Sequence, residues 1–162
     1  VLHDGTKRKT TYRIAQKGYE YIQFLAKGIQ NLGFNAWIYQ EGKERSVYIV
    51  EFSHHVLRKS PIVTQQEKND YIRGYFDAEG GIAKTNNVRF YIYFAQKDKN
   101  DLEEVKSYLE EIGISCGTIH NPSKKADPNY WRFFIRKKSY KDFVKKIGSW
   151  HPEKSHSFRM MI

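Results

Sequence analysis

Cysteine is almost absent from this 162-residue chain: Cys116 stands alone. One thiol excludes an internal disulfide and argues against a cysteine-built zinc site. A reducing, intracellular setting is the expectation. No apolar run approaches the length needed to cross a bilayer, and the start carries no signal-peptide pattern. Acids are outnumbered: 18 Asp and Glu face 28 Lys and Arg, for a formal charge of +10 and a pI near 9.6. Apolar residues are plentiful, at 40% hydrophobic and 15% aromatic, which suits a packed core and argues against disorder. The length suits one compact unit or two small halves. A basic, aromatic-rich chain of this kind points first to nucleic acid. Ribosomal-type binding, membrane-surface binding and a merely solubilising charge are the alternatives composition leaves open.

The most informative stretch is Tyr71-Ile72-Arg73-Gly74-Tyr75-Phe76-Asp77-Ala78-Glu79-Gly80. It reads as an apolar helix with a glycine in its interior and acid-Ala-acid-Gly at its end. An interior glycine costs a helix about 1 kcal/mol against Ala, so Gly74 calls for a packing reason, such as the close approach of another backbone. A carboxylate at such a junction is a ligand for a hard divalent cation. Facing nucleic acid, that cation can activate water and stabilise a leaving oxygen.

The chain also repeats itself at a shift of 80 residues. Ala15-Gln16-Lys17 falls on Ala95-Gln96-Lys97, and Gly33 on Gly113; Lys9, Thr11 and Arg13 fall on Arg89, Tyr91 and Tyr93. Each repeat reads as strand, helix, strand, strand, helix. Alternation predicts strands at 8–16 and 88–96, with Val88, Phe90, Ile92 and Phe94 on one face of the second. Helical spacing predicts helices at 18–32 and 99–112, with Tyr21, Phe24, Leu25, Ile29 and Leu32 as core positions of the first. Gly33 and Gly113 stand where helix-ending glycines belong. Strand pairs are expected at 34–40 with 45–52 and at 114–120 with 130–136, then short helices at 53–58 and 139–147. Subtracting 80 from Gly80 gives position zero, so a matching motif helix is expected to end just before Val1, which is not a natural initiator residue.

With motif, repeat and the paired Ala-Gln-Lys triplets together, the chain resembles the LAGLIDADG homing endonucleases. Ile72 to Gly80 matches their nine-residue motif at its Gly, both acids and final Gly, and Lys68-Asn69-Asp70-Tyr71 resembles the approach to the second motif of two-repeat members. The resemblance implies an α+β fold of two pseudo-symmetric αββαββα-type repeats with saddle-shaped antiparallel sheets. Repeat one would occupy 1–58 without its motif helix, a connector 59–67, and repeat two 68–162. It also implies a sequence-specific double-strand DNA endonuclease that uses Mg2+ or another divalent cation. The partner is then double-stranded DNA, with no membrane involved. The chain acts as a monomer if the missing helix exists, and a homodimer is the alternative. A non-cutting DNA- or RNA-binding protein on the same fold, such as a maturase or transcription regulator, is the rival reading.

By the same resemblance, Glu79 is the metal-binding and catalytic acid, and Gln16 and Gln96 hold water beside the scissile phosphates. Lys154 resembles the basic catalytic-centre residue, with Lys59 or Lys68 as candidates for its repeat-one counterpart. Gly74, Asp77 and Gly80 form the helix interface. For DNA, Lys9, Thr11, Arg13, Arg89, Tyr91, Tyr93 and Arg132 are the strand-face candidates; long basic side chains can pair with guanine edges in the major groove. Lys7, Arg8, Lys43, Arg45, Lys84, Lys124 and Lys125 stand in or beside turns and would grip phosphates, which position a protein without specifying sequence. His54 and His55 are expected to point apart and to make no metal pair.

Overall fold

In a computed structural model, residues 6–42, 44–57, 61–85 and 88–161 are described. The chain divides into two compact units, Val1–Pro61 and Ile62–Ile162.

The first unit runs β1 (Thr6–Lys7), β2 (Thr11–Lys17), α1 (Tyr19–Asn31), β3 (Ala36–Gln40) and β4 (Val47–Ser53). Its antiparallel sheet has the order β1-β2-β4-β3. Alternation in β2 turns Ile14 inward, where it meets Val50 and Phe52 of β4 and the Ile22, Ala26 and Ile29 stripe of α1. That spacing of four and three residues is one face of a helix. Gly33 then ends the helix at φ 83°, a left-handed conformation that a residue without Cβ adopts cheaply. Two of the expected core positions are not core: Phe24 is 45% exposed and Leu32 68%. Both fall beside the narrow stripe that α1 turns to the sheet. The expected helix at 53–58 is one 3-10 turn, His54–Leu57. It overturns the expectation that the two histidines diverge: their rings stack with centroids 4.3 Å apart, because a tight helical turn does not alternate sides as a strand does.

The second unit runs α2 (Gln65–Glu79), β5 (Gly80–Thr85), β6 (Val88–Gln96), α3 (Lys99–Glu111), β7 (Trp131–Phe134), α4 (Tyr140–Lys146) and α5 (Pro152–Arg159). Its antiparallel sheet has the order β5-β6-β7. The α+β class and antiparallel sheets are as the sequence implied. α2 begins inside the stretch read as connector. Thr64 and Glu67 form a reciprocal capping box there, each side chain accepting the other's backbone N–H, and this starts a helix whose first turn is too polar to show a period. Segment 114–120 is not a continuous strand, but it pairs antiparallel with the expected stretch: Cys116 and His120 bridge to Ile135 and Arg132, Gly117 N donates to Phe134 O at 2.7 Å and Arg136 N to Ser115 O at 2.8 Å. Side chains take two of its other backbone groups: Ser139 Oγ accepts from Ser115 N at 2.9 Å, and Arg136 Nε donates to Cys116 O at 3.0 Å.

The core of this unit is aromatic. Phe76 of α2 packs 5.3 Å from Phe94, 5.2 Å from Phe143 and 5.7 Å from Phe158, ring centre to ring centre. Phe94 stacks on Phe133 at 5.1 Å. Two helices, α4 and α5, and the sheet therefore meet around the motif helix. Gly80 is part of this packing: a Cβ there would overlap the Phe76 ring and crowd the Phe76 carbonyl. The room left by its missing side chain is filled by its own helix. Gly80→Ala should lower unfolding free energy by about 1–3 kcal/mol through overpacking, seen as a lower denaturant midpoint at unchanged slope.

Candidate functional site

The helix carrying the motif ends with three residues of different fate. Asp77 is buried at 3% exposure, while Ala78 and Glu79 are half-buried. The Asp77 carboxylate accepts from Ser149 Oγ and from the backbone N–H of Trp150, the latter at 3.0 Å. Burial raises the Asp77 pKa above its ordinary value, and these donors together with the charge of Lys154 pull it back. Its oxygens thus serve the turn before α5. Arg73, one turn earlier, donates to the Ile147 carbonyl and lies over the Trp150 ring at 4.7 Å. The motif helix is tied to 147–150 from two successive turns.

Lys154 comes back the other way. Its Nζ donates to the carbonyls of Phe76 at 2.8 Å, Asp77 at 2.9 Å and Gly80 at 2.7 Å. An ammonium has three N–H donors, so all three are spent where α2 passes into β5: on Phe76 O, which also accepts from Gly80 N, on Asp77 O and on Gly80 O. Burial lowers the Lys154 pKa to about 8, against opposing pulls from Asp77 and Glu79. The Glu79 charge also contributes to raising the Tyr75 pKa, after burial and Asp101, and the neighbouring Gln96 side chain pulls it back. Gln96 Oε1 accepts from Lys97 N at 2.7 Å. Glu79, Asp77, Gln96 and Lys154, named separately from the sequence, thus gather at one end of α2. Gln16 lies in β2 of the first unit, opposite Tyr48. Gly74 is half-buried within α2. Lys68 is occupied by Glu111 at 2.5 Å and by the Tyr108 ring at 4.9 Å; Lys59 lies outside the described residues.

Among the described residues no three His, Cys, Asp or Glu side chains form a metal cage. With Asp77 turned to the 149–150 turn, Glu79 presents one carboxylate at this end of α2. It fits part of a hard-cation site, which needs further oxygens.

The outward faces of the two sheets differ. On the first, Thr11 and Arg13 are half-exposed and both bond to Glu51, which the sequence reading did not single out. Lys7, Arg8 and Lys9 are exposed at the β1–β2 turn and Arg45 before β4; Lys43 lies outside the described residues. On the second, Tyr91 and Tyr93 stand 5.8 Å apart, Phe134 is 5.2 Å from Tyr91, and Arg132 lies over Phe134 at 5.0 Å. Tyr93 lies across Gly81, where a Cβ would overlap its ring. Lys84 and Arg89 are in β5 and β6, with side chains outside the described set. Lys124 and Lys125 are exposed in a loop that Asn121 pins through the carbonyls of Asp127 and Pro128. Ser149 and Trp150 were invisible to sequence reasoning; neither belongs to a periodic segment or a motif.

A profile of the LAGLIDADG-like domain matches residues 66–148, about half of the chain. The chain belongs to the LAGLIDADG family. Among solved structures it is similar to I-DmoI in complex with DNA and manganese: 25% identity, TM-score 0.64, covering 91% of this chain and 88% of that one. It shares its fold with the N-terminal LAGLIDADG domain of WhiA, at 13% identity and TM-score 0.67, over 95% of this chain and 80% of that one. Full-length WhiA from Thermatoga maritima matches at 14% identity and TM-score 0.67, over 97% of this chain and 55% of that one. No curated protein sequence matches. No helix among the described residues is long and apolar enough to cross a membrane.

The depressed pKa of Lys154 has a measurable sign. From pH about 8 to 10.5, its native and ordinary values, the unfolded chain holds a proton on this lysine that the native state has released. Stability contributed at this site therefore rises with pH across that window. The unfolding free energy of the wild type relative to Lys154→Met should be flat below about pH 7 and shift in favour of the wild type between pH 8 and 10.5. A difference independent of pH would show an unperturbed lysine.

Proposed function

We propose that this LAGLIDADG protein is a sequence-specific double-strand DNA endonuclease dependent on a divalent cation, Mg2+ first. The observation that carries the reading is the placement of Glu79: the last residue of the motif helix, held by the Lys154 and Asp77 contacts, directly where the helix passes into a sheet. The formal charge of +10 suits a polyanion. I-DmoI, a homing endonuclease, was crystallised with DNA and manganese.

In this reading Glu79 would hold the cation together with a second acid, and the cation would supply activation of water and charge relief at the leaving oxygen. Gln96, whose Oε1 accepts from Lys97 N, orients a water by its amide hydrogens. Lys154 acts on the main chain: it holds the helix end and so fixes where Glu79 points. The second reading, a non-cutting DNA-binding protein on this fold, is favoured by a lysine whose donors are committed to carbonyls.

Cleavage of a plasmid library carrying candidate sites, in magnesium and in calcium, separates the two. With magnesium the protein should cut, and Glu79→Gln should reduce cutting by at least about 100-fold, above the loss common for a residue that only supports a metal ligand, with duplex binding kept. Tight binding without any cut in magnesium supports the non-cutting protein instead. A Glu79→Gln variant that cuts at the normal rate sinks the site assignment. Affinity should also fall steeply as salt rises.

A further inference from the structure

The outer face of the first sheet carries a polar cluster centred on a carboxylate. Register places Arg13 of β2 and Trp37 of β3 on either side of Glu51 in β4. The Glu51 carboxylate accepts three hydrogen bonds: Thr11 Oγ1 at 2.6 Å, Arg13 Nε at 2.8 Å and Tyr39 OH at 2.8 Å. The Arg13 guanidinium carbon lies 5.5 Å from the Tyr39 ring centre. A side chain that ordinarily samples many rotamers is therefore fixed at two points, by an ion pair at its Nε and by a ring. The side chains of Arg13 and Glu51 remain 27% and 17% exposed, so the arginine is the more accessible of the two.

Folding gains something from a half-buried, three-fold bonded carboxylate, but a carboxylate on a DNA-facing surface repels phosphate. The sheet itself does not require it: the second sheet places Tyr93 opposite Phe134, where the first has Arg13 opposite Glu51. What the pairing achieves is presentation. With Nε taken by Glu51, the two terminal nitrogens present parallel N–H donors, the fork that matches O6 and N7 of guanine in the major groove. Ordering the side chain before binding removes that cost from association.

We propose that Arg13, held by Glu51 against Tyr39, reads one guanine of the target duplex, and that Glu51 is its positioning residue. This rests on the reading of the chain as a DNA-binding protein, whether or not it cuts. It also makes the two half-sites unlike: the first sheet selects a guanine through a buttressed fork, while the second offers aromatic rings and Arg132 at the corresponding face.

The test is selection of bound sequences from a randomised duplex library by the wild type, Arg13→Lys and Glu51→Gln, with thermal melting of each protein as a check on folding. Lysine keeps the charge and loses the fork; glutamine keeps the volume but has one acceptor oxygen, where Thr11 uses one carboxylate oxygen and Arg13 and Tyr39 share the other, and it loses the ion pair. The wild type should show one strongly preferred guanine that Arg13→Lys weakens by roughly 5- to 100-fold, with preferences elsewhere in the site retained. Glu51→Gln should weaken the same guanine while raising affinity for unrelated duplex, since a negative charge is gone. A wild-type site whose every preference survives Arg13→Lys overturns the proposal and leaves the DNA-binding reading standing. A guanine lost in Arg13→Lys but intact in Glu51→Gln removes Glu51 from it. A wild type that retains no duplex at all overturns both readings together.

Discussion

The second unit is organised by a reciprocal tie between the end of α2 and the start of α5. Each donates what the other lacks. The last carbonyls of α2 run short of N–H partners, and Lys154 donates to those of Phe76 and Asp77 and to that of Gly80, the first residue of β5. The turn before α5 needs acceptors for its hydroxyl and N–H, and Asp77 provides both. Burying two charges is costly, and the opposite shifts of Lys154 and Asp77 away from their charged forms record that cost. Hydrogen bonds filling nearly every donor and acceptor make it tolerable.

Around this tie the packing is almost wholly aromatic. Phe76, one residue before Asp77, contacts rings from β6, α4 and α5. The polar clamp and the apolar cluster thus act on neighbouring residues of one helix turn. The clamp fixes the azimuth of the helix, because Asp77 can reach Ser149 in only one rotation. The rings fix its depth, because Gly80 leaves space for Phe76 and for nothing larger.

Much of this was legible in the sequence, and the failures have local causes. Strands β2, β6 and β7 follow from alternation, and α1 and α3 from helical spacing with a glycine behind each. Glu79, Gln96 and Lys154 were each named from the chain, and the fold brings them to one helix end. The 114–120 stretch pairs where expected but only as isolated bridges, because Ser139 and Arg136 take two of its backbone groups. α2 begins earlier than its apolar period because capping, not burial, starts it. α5 escaped notice because His151-Pro152-Glu153-Lys154 has no period. Glu51 was overlooked for a deeper reason: its meaning lies in Thr11 and Arg13 across the sheet, and cross-strand register is not written along the chain.

The passage from Glu79 to Gly80 has no connecting loop: the last helical residue is followed at once by the first residue of β5. Helix and strand behave as one lever with the carboxylate at its elbow. Where that sheet is the part that touches DNA, a duplex of the wrong shape that lifts or tilts the strand shifts the carboxylate by a like amount. Chemistry at phosphorus tolerates little of this, since about an ångström of misplacement can cost 100-fold in rate. In the proposed endonuclease, recognition and reaction would then share this one joint, and no separate sensor of fidelity would be needed.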